Sequence, residues 1–511
     1  MADPCAGPAA VEGPLSAWLL LGAAPSPRTA LQFWEAEQQV LRVAGEMADQ
    51  LIGEHLTRLH QDRDFVDQAV REARARHAGP LVHKGLRLLS VLLPGGTRFL
   101  VHTPYLRPKP PRRPGRKRTR RGPKGAGLYP VLQALGIRDG VSPATRSQLA
   151  LYTVQAGSYR EAVVLLAQRG LVVEPSTLLR VAQSTARADI RLRDAALEQA
   201  RQVPLTADGP LAGLRVRVSV DGGRVRTRHN RPGRKTQKGR HRYDTPWREP
   251  RVLVIDILDG KGKAEPLRLP LYEVLLKDAE ATVAVVIGYL RLLGAAQARV
   301  VEFIADGAEW IWERSEKIRQ EAGIPLARWV EVVDFYHASE HLHDAVELCR
   351  NVSAAQRQQL YETLRHLLRH EAQGVDKVIA RLQQEARGRR GKKMNEAIGY
   401  FEKHTGRMAY VDLDGRQLPV GSGPVESAVR RVINLRFKAP GNFWEPGTVA
   451  DLMHLRAGFK AGRWGELMKR VLTQDFASPS FARLTPAQMR TLVPLELQEQ
   501  SPPPDRALQC A

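Results

Sequence analysis

From Leu214 to Asp221 the chain alternates residue by residue. Leu214, Val216, Val218 and Val220 fall on one side of an extended backbone, and Arg215, Arg217, Ser219 and Asp221 on the other. A period of two predicts a β-strand with unlike faces. It stops at Asp221-Gly222-Gly223 and gives way to a basic run. Further along, "PRVLVIDILD" (250–259) predicts a second strand and "AEPLRLPLYEV" (264–274) a third. "RVVEFIADGAEWIW" (299–312) predicts a buried fourth that breaks at Asp306-Gly307, and "RWVEVVDFYHA" (328–338) a fifth. Apolar residues recur at helical spacing in "AEATVAVVIGYLRLLGA" (279–295) and "SEKIRQEAG" (315–323). The order β-β-β-α-β-α-β predicts a layered α/β domain over 212–337. A helical block from about Ala338 to Lys403 then reads as an insertion, 338–412. "GSGPVESAVRRVINLRFK" (421–438) starts a new helix, with Ser422 as cap, Pro424 in the first turn and an apolar stripe of Val425, Val429, Val432 and Ile433. It opens a closing segment, 413–475, followed by a tail, 476–511.

The same reading divides the first part of the chain. A helix is expected from about Ala30 to Leu59, with Val40, Val43, Met47, Leu51, Ile52 and Leu56 at helical spacing. "KGLRLLSVLLPGGTRFLVHTPYL" predicts two strands around Pro94-Gly95-Gly96, completing a region 1–106. Residues 128–211 read as helical. Ser142 before Pro143 is a helix start, and three short helices are broken at Gly157 and Gly170. A Ser-led third helix allows a helix-turn-helix that reads DNA, and a plain helical bundle equally.

Charge narrows the function. The 511 residues carry a net charge of +24, which suits a partner of dense negative charge such as a nucleic acid. Much of the excess is local. Between Arg107 and Lys124, 10 of 18 residues are Lys or Arg and none is acidic, which predicts an extended linker (107–127) that binds phosphate through Arg112, Arg113, Arg116, Lys117, Arg118, Arg120 and Arg121. Between Arg224 and Arg248 another 10 of 25 are basic, with Asp244 the single acid. The three cysteines, Cys5, Cys349 and Cys510, form neither a CxxC pair nor a zinc spacing, and a reducing cytoplasm fits them. "LSAWLLLGAA" (15–24) is too short to span a bilayer and lacks a basic leader, so no membrane partner is expected.

Three acids sit where such a fold presents side chains: Asp221 at the end of the first strand, Asp306 at the end of the fourth, Glu426 in the first turn of the late helix. Each has an ordinary reading, since Asp before Gly forms turns and Glu near a helix start favours the dipole. Together they suit a carboxylate centre that holds two hard cations for phosphoryl transfer, with Mg²⁺ expected, Mn²⁺ as a substitute and Asp221 bridging the pair. A basic hairpin leaving Asp221, through Arg224, Arg226, Arg228, Arg231, Arg234 and Lys235, would lay a nucleic-acid backbone over that centre. Arg430 and Arg431 put further charge beside Glu426. Trp444 is either a base-stacking aromatic or a packing one.

Six pieces run in order from about residue 215 to 465: "SVDGGRVR", "ADGAEWIW", "DFYHASEHL", "GSGPVESAVRRVINLRFK", "GNFW" and "RAGFKAGRW". With them the chain resembles insertion-sequence transposases of the ISKra type, in the Mutator-like branch of the DDE transposases. "SYREAVVLLAQRG" also looks like the family's helical DNA-binding region. The resemblance implies an RNase H-like α/β catalytic core with an all-helical insertion, preceded by that helical region. It implies that Asp221, Asp306 and Glu426 are the catalytic, metal-holding triad. The family's pattern of Cys or Asp, two residues, then His falls on Asp334-Phe335-Tyr336-His337. That places His337 near the metals, with Asp334 orienting it; His341 and His343 read as helix-surface residues. The implied partners are double-stranded DNA, as element ends and as target, and further copies of the chain in a homodimer or larger assembly, at the nucleoid of a bacterial cytoplasm. Related proteins often carry a cysteine-based zinc ribbon before the helical region, whereas this chain has predicted strands and no cysteine there. Two other readings stay open: an RNase H-like nuclease or resolvase that only hydrolyses, and a non-catalytic DNA-binding regulator derived from a transposase.

Overall fold

The computed structural model describes residues 26–109, 127–205, 208–349, 352–386 and 391–473. They divide into two units, one built from the chain up to Asp189 with residues from Met468 on, the other from Ile190 to Leu467. Among the described residues no helix is long and apolar enough to cross a membrane.

In the first unit, α1 (Ala30–Gln61) and α2 (Arg63–Arg76) precede an antiparallel hairpin, β1 (Leu81–Leu92) and β2 (Arg98–Pro108). The expected turn at Pro94-Gly95-Gly96 is held from α1, where the buried Asp49 carboxylate accepts from Gly95 N and Thr97 N, both at 2.8 Å. Glycine is needed at 95 because a Cβ there would strike the Gly45 carbonyl. The expected α1 stripe is only partly inward: Val43 and Leu56 are buried, while Val40, Leu51 and Ile52 are exposed. Strand β2 packs on α1, and one strand cannot cover a wide face of so long a helix.

Next come α3 (Pro130–Ala134), α4 (Pro143–Gln155), α5 (Tyr159–Ala167) and α6 (Pro175–Gln202). Ser142 caps α4 as expected, accepting from Thr145 N. Leu149, Ala162, Leu166, Leu178 and Val181 form a shared core. The third helix departs from expectation. It runs 28 residues and starts at Pro175 rather than behind a serine cap. The tight turn is residues 156–158, containing Gly157, so a helix-turn-helix pairing would be α4–α5.

The second unit is mixed α/β. Strand β3 (Arg215–Gly222) leads into a hairpin of short strands, β4 (Val225–Arg226), β5 (His229–Asn230), β6 (Tyr243–Asp244) and β7 (Trp247–Arg248). Strands β8 (Arg251–Leu258) and β9 (Leu271–Leu275) follow. The expected third strand begins only at Leu271, since Pro266 and Pro270 lack the N–H that a ladder needs. After α7 (Ala279–Leu292) come β10 (Val300–Ala305), α8 (Glu309–Glu321) and β11 (Trp329–Val333). The main sheet has the order β11-β10-β3-β8-β9, with β3, β8 and β9 antiparallel in sequence and β10 and β11 parallel to β3.

Val216, Val218 and Val220 point into a core shared with α7 and α8 residues such as Val286, Leu290 and Ile311. The polar face of β3 is buried too. Arg217 pairs with Asp256 across the register, Nε–Oδ1 3.0 Å and Nη2–Oδ2 2.5 Å. Beside Arg217 on β10 lies Glu302, whose two carboxyl oxygens are buried without a hydrogen-bond partner among the described residues. Burial pushes its pKa up to about 8 against the pull of Arg217, so it stays protonated at neutral pH.

The insertion is helical as expected, but it starts earlier. Helix α9 (Phe335–Glu347) begins directly after β11, followed by α10 (Ala354–His370), α11 (Gly374–Glu385), α12 (Lys392–His404) and α13 (Tyr410–Gly415). Leu364, Leu368, Val378, Leu382, Ile398 and Phe401 join them to the core. The late helix is α14 (Gly423–Ala428), a π-helical stretch Val429–Asn434, and α15 (Leu435–Phe437). Its stripe of Val425, Val429, Val432 and Ile433 is buried as expected, with α14 packed on β3 and β8. Helix α16 (Pro446–Lys460) packs on β9, and α17 (Trp464–Thr473) ends the described chain.

Candidate active site

Register decides where the first two acids stand. Val220 pairs with Ala305 in parallel, so Asp221 and Asp306 follow at neighbouring strand ends, about 5 Å apart by the ordinary strand spacing. Each is pinned through one oxygen. Gly222 N donates to Asp221 Oδ1 at 2.6 Å, and Ala308 N donates to Asp306 Oδ1 at 3.0 Å. The second oxygen of each makes no hydrogen bond to a described residue. Glu426 arrives from the start of α14. Ser422 is not its helix's side-chain cap, contrary to expectation; instead its hydroxyl donates to Glu426 Oε1 at 3.3 Å. His337, in the first turn of α9, has Nε2 4.0 Å from Glu426 Oε1 and Nδ1 3.4 Å from Glu340 Oε2.

The Asp221 carboxyl responds to all of them. Its pKa is pushed up to about 6, chiefly by burial; the Gly222 N–H opposes this, the charges of Asp306 and Glu426 add to it, and His337 lowers it. The four predicted groups therefore share one electrostatic neighbourhood. Among the described residues, no three carboxylate, imidazole or thiol groups already stand at the mutual spacing of a ligand shell. Glu426 is exposed, in the first turn of its helix.

Asp334 holds His337 through its backbone, and among the described residues no hydrogen bond joins it to the imidazole. It is buried and caps α9, with Oδ1 accepting from Tyr336 N at 2.6 Å and His337 N at 3.0 Å, while Oδ2 accepts from Ser422 N. One carboxylate thus fixes the backbone under His337 and the loop that delivers Glu426.

The insertion supplies a wall that the sequence did not reveal. Tyr400 of α12 lies against Gly307, where a Cβ would run into its ring, and stacks on His341 at 3.9 Å between centroids. His341 lies on the helix surface as expected, with one face covered by the Tyr400 ring. That partial desolvation lowers its pKa, and it senses both His337 and Asp306. Trp312 Nε1 donates to the Asp306 carbonyl at 2.6 Å, and His404 packs edge-on to Trp312. No local pattern marks these contacts; the Asp306-Gly307 dipeptide was the single hint that something approaches closely.

No protein-family model and no curated protein sequence matches the chain.

The basic candidates divide. Arg112, Arg113, Arg116, Lys117, Arg118, Arg120 and Arg121 lie outside the described residues. Arg224, Arg234 and Lys235 are exposed on the hairpin, whereas Arg231 forms a paired contact with Asp244, the hairpin's acid. Arg430 is exposed, but Arg431 turns inward and donates to Tyr272 Oη at 2.6 Å. Arg436 is buried over the Trp444 ring. Trp444 itself is half-buried, packs edge-on against Phe437 and ties the hairpin down by Arg228 N to Trp444 O, 2.6 Å, and Trp444 N to Arg226 O, 3.0 Å.

Proposed function

We propose that the chain is a DNA transposase with an RNase H-like core, cutting and joining DNA at the centre formed by Asp221, Asp306 and Glu426. The observation that carries this reading is the meeting of Asp221 and Asp306 at adjacent strand ends with Glu426 delivered over them. The sheet, a three-strand antiparallel meander extended by two parallel strands, fits such a core, and the motifs "SVDGGRVR", "ADGAEWIW" and "GSGPVESAVRRVINLRFK" support the same family.

A set of three carboxylates, each with an oxygen that makes no hydrogen bond to a described residue, is the donor chemistry of a hard divalent cation. Asp221, Asp306 and Glu426 would together hold divalent cations such as Mg²⁺. When bound, such ions activate the attacking oxygen and stabilise the leaving one in an in-line displacement. The protein's own part is positional. The Gly222 and Ala308 N–H groups fix two carboxylates, Asp334 fixes the third element, and His337 stands beside Glu426 to meet the scissile phosphate. The hairpin rooted at Asp221 holds the DNA backbone. Water attack at an element end frees a 3′-hydroxyl, and that hydroxyl then attacks target DNA, with no covalent enzyme intermediate. Joining two ends calls for at least a dimer.

The test is strand transfer. Pre-cut, labelled DNA ends with Mg²⁺ and a target plasmid should give joined products. Cleavage of uncut ends without any joining would reassign the protein as a nuclease, and neither product would overturn the reading.

A further inference from the structure

The hairpin between β3 and β8 has an outer face that the reading above does not use. Both of its legs start at the candidate site, since Gly222 pairs with Arg251. Along the first leg the side chains alternate. Val225 and Thr227 are fully buried, while Arg226 and Asn230 are exposed and Arg228 is half-exposed on the opposite side. Facing them from the return leg are Trp247, paired with Arg226, and Tyr243, paired with Asn230. Trp247 is 51% exposed and Tyr243 41%, so neither serves a core. Phe443, 37% exposed, lies 5.0 Å from the Tyr243 ring. The arginines are interleaved with these rings: Arg226 stands 5.4 Å from the Trp247 centroid and Arg228 4.3 Å from that of Tyr243.

We infer that this face binds unpaired DNA bases, by stacking them on Trp247, Tyr243 and Phe443 while the hairpin arginines hold the strand's phosphates. Three observations carry it. The rings are solvent-facing, and every base offers a π-face, so stacking needs no particular sequence. The surrounding charge is largely positive, with Arg231 the one hairpin arginine in an ion pair among the described residues, which complements a phosphate backbone. The hairpin's root is Asp221–Gly222, so a strand unpaired at the cut lies within reach. This inference rests on the proposed DNA-cutting function for the choice of DNA over other single strands. It moves the stacking role from Trp444, whose ring is packed on Phe437, to the outer rings.

The experiment compares two probes with the full chain: a labelled blunt duplex, and the same duplex carrying a short unpaired DNA tail. Binding is read by fluorescence anisotropy without divalent ions, so that no cleavage intervenes. The wild type should prefer the tailed probe, and its tryptophan emission should be quenched on binding. Trp247→Ala with Tyr243→Ala should lose roughly tenfold or more on the tailed probe and less than about twofold on the blunt one, and Trp247→Phe with native Tyr243 should retain most of the preference. Equal losses on both probes, or a stronger preference for an RNA tail, would overturn the inference. A tail preference without strand transfer would leave it standing and remove the proposed function; strand transfer without a tail preference would do the reverse.

Discussion

Replacing Asp221 by asparagine removes the group on which the candidate site concentrates its electrostatic strain. Burial and the neighbouring Asp306 and Glu426 raise this carboxyl from 3.8 to about 6. A shift of about two units, at roughly 1.4 kcal/mol each, corresponds to ~3 kcal/mol. Residual exposure screens part of it, so we expect a gain of about 1–3 kcal/mol for Asp221→Asn. The sign follows from proton linkage. Between the unfolded and folded values the native state binds more protons than the unfolded one, so the native carboxyl costs stability progressively as pH rises. The variant should therefore match the wild type at the lowest pH where both fold, pull ahead across the window from about 4 to 6, and keep its full advantage at about pH 7.5. Urea unfolding across that range, without divalent ions, reads the difference. Adding Mg²⁺ should then stabilise the wild type more than the variant. An advantage over the wild type no larger at neutral than at acid pH would refute the reasoning, as would an equal response to Mg²⁺.

Other changes follow from the same geometry. Asp334→Ala leaves three N–H groups, of Tyr336, His337 and Ser422, without their acceptor; it should cost about 2–4 kcal/mol in urea unfolding, with Asp334→Asn recovering part of that. Gly307→Ala forces the Tyr400 ring away and should destabilise by about 1–3 kcal/mol, and adding Tyr400→Ala should offset part of this loss in a double-mutant cycle. Glu302→Gln should gain about 1–3 kcal/mol at about pH 8 and little at about pH 4.5, because the native carboxyl, raised to about 8, costs more as pH climbs through that window; an equal gain at both would count against a protonated Glu302.

Much of this was legible from periodicity alone. The alternation at 214–221 and the apolar runs at 250–259 and 299–305 name their strands, and Ser142-Pro143 its helix start. The Asp-Gly break at 306 names a strand end. What periodicity does not carry is register. Nothing local says that Ala305 pairs with Val220, and that single pairing is what makes Asp221 and Asp306 neighbours. The polar side of β3 read as an ordinary second face, yet Arg217 and Ser219 are buried; α14, about 200 residues later in the chain, packs on that strand. Asp334 and Ser422 illustrate the same limit. Their roles come from a contact across 88 positions, where local rules could offer only a cap and a turn. Tyr400 and Trp247 were invisible for a related reason: an aromatic's use depends on what lies opposite it.

The most direct measurement of the central claim is the rate of Mg²⁺-dependent end cleavage and joining for the wild type beside Asp221→Asn, Asp306→Asn, Glu426→Gln and the triple variant. One shared centre predicts that each single change loses roughly three orders of magnitude and that combining them loses little more. If any single variant keeps the wild-type rate while remaining folded, the three carboxylates are not one active site.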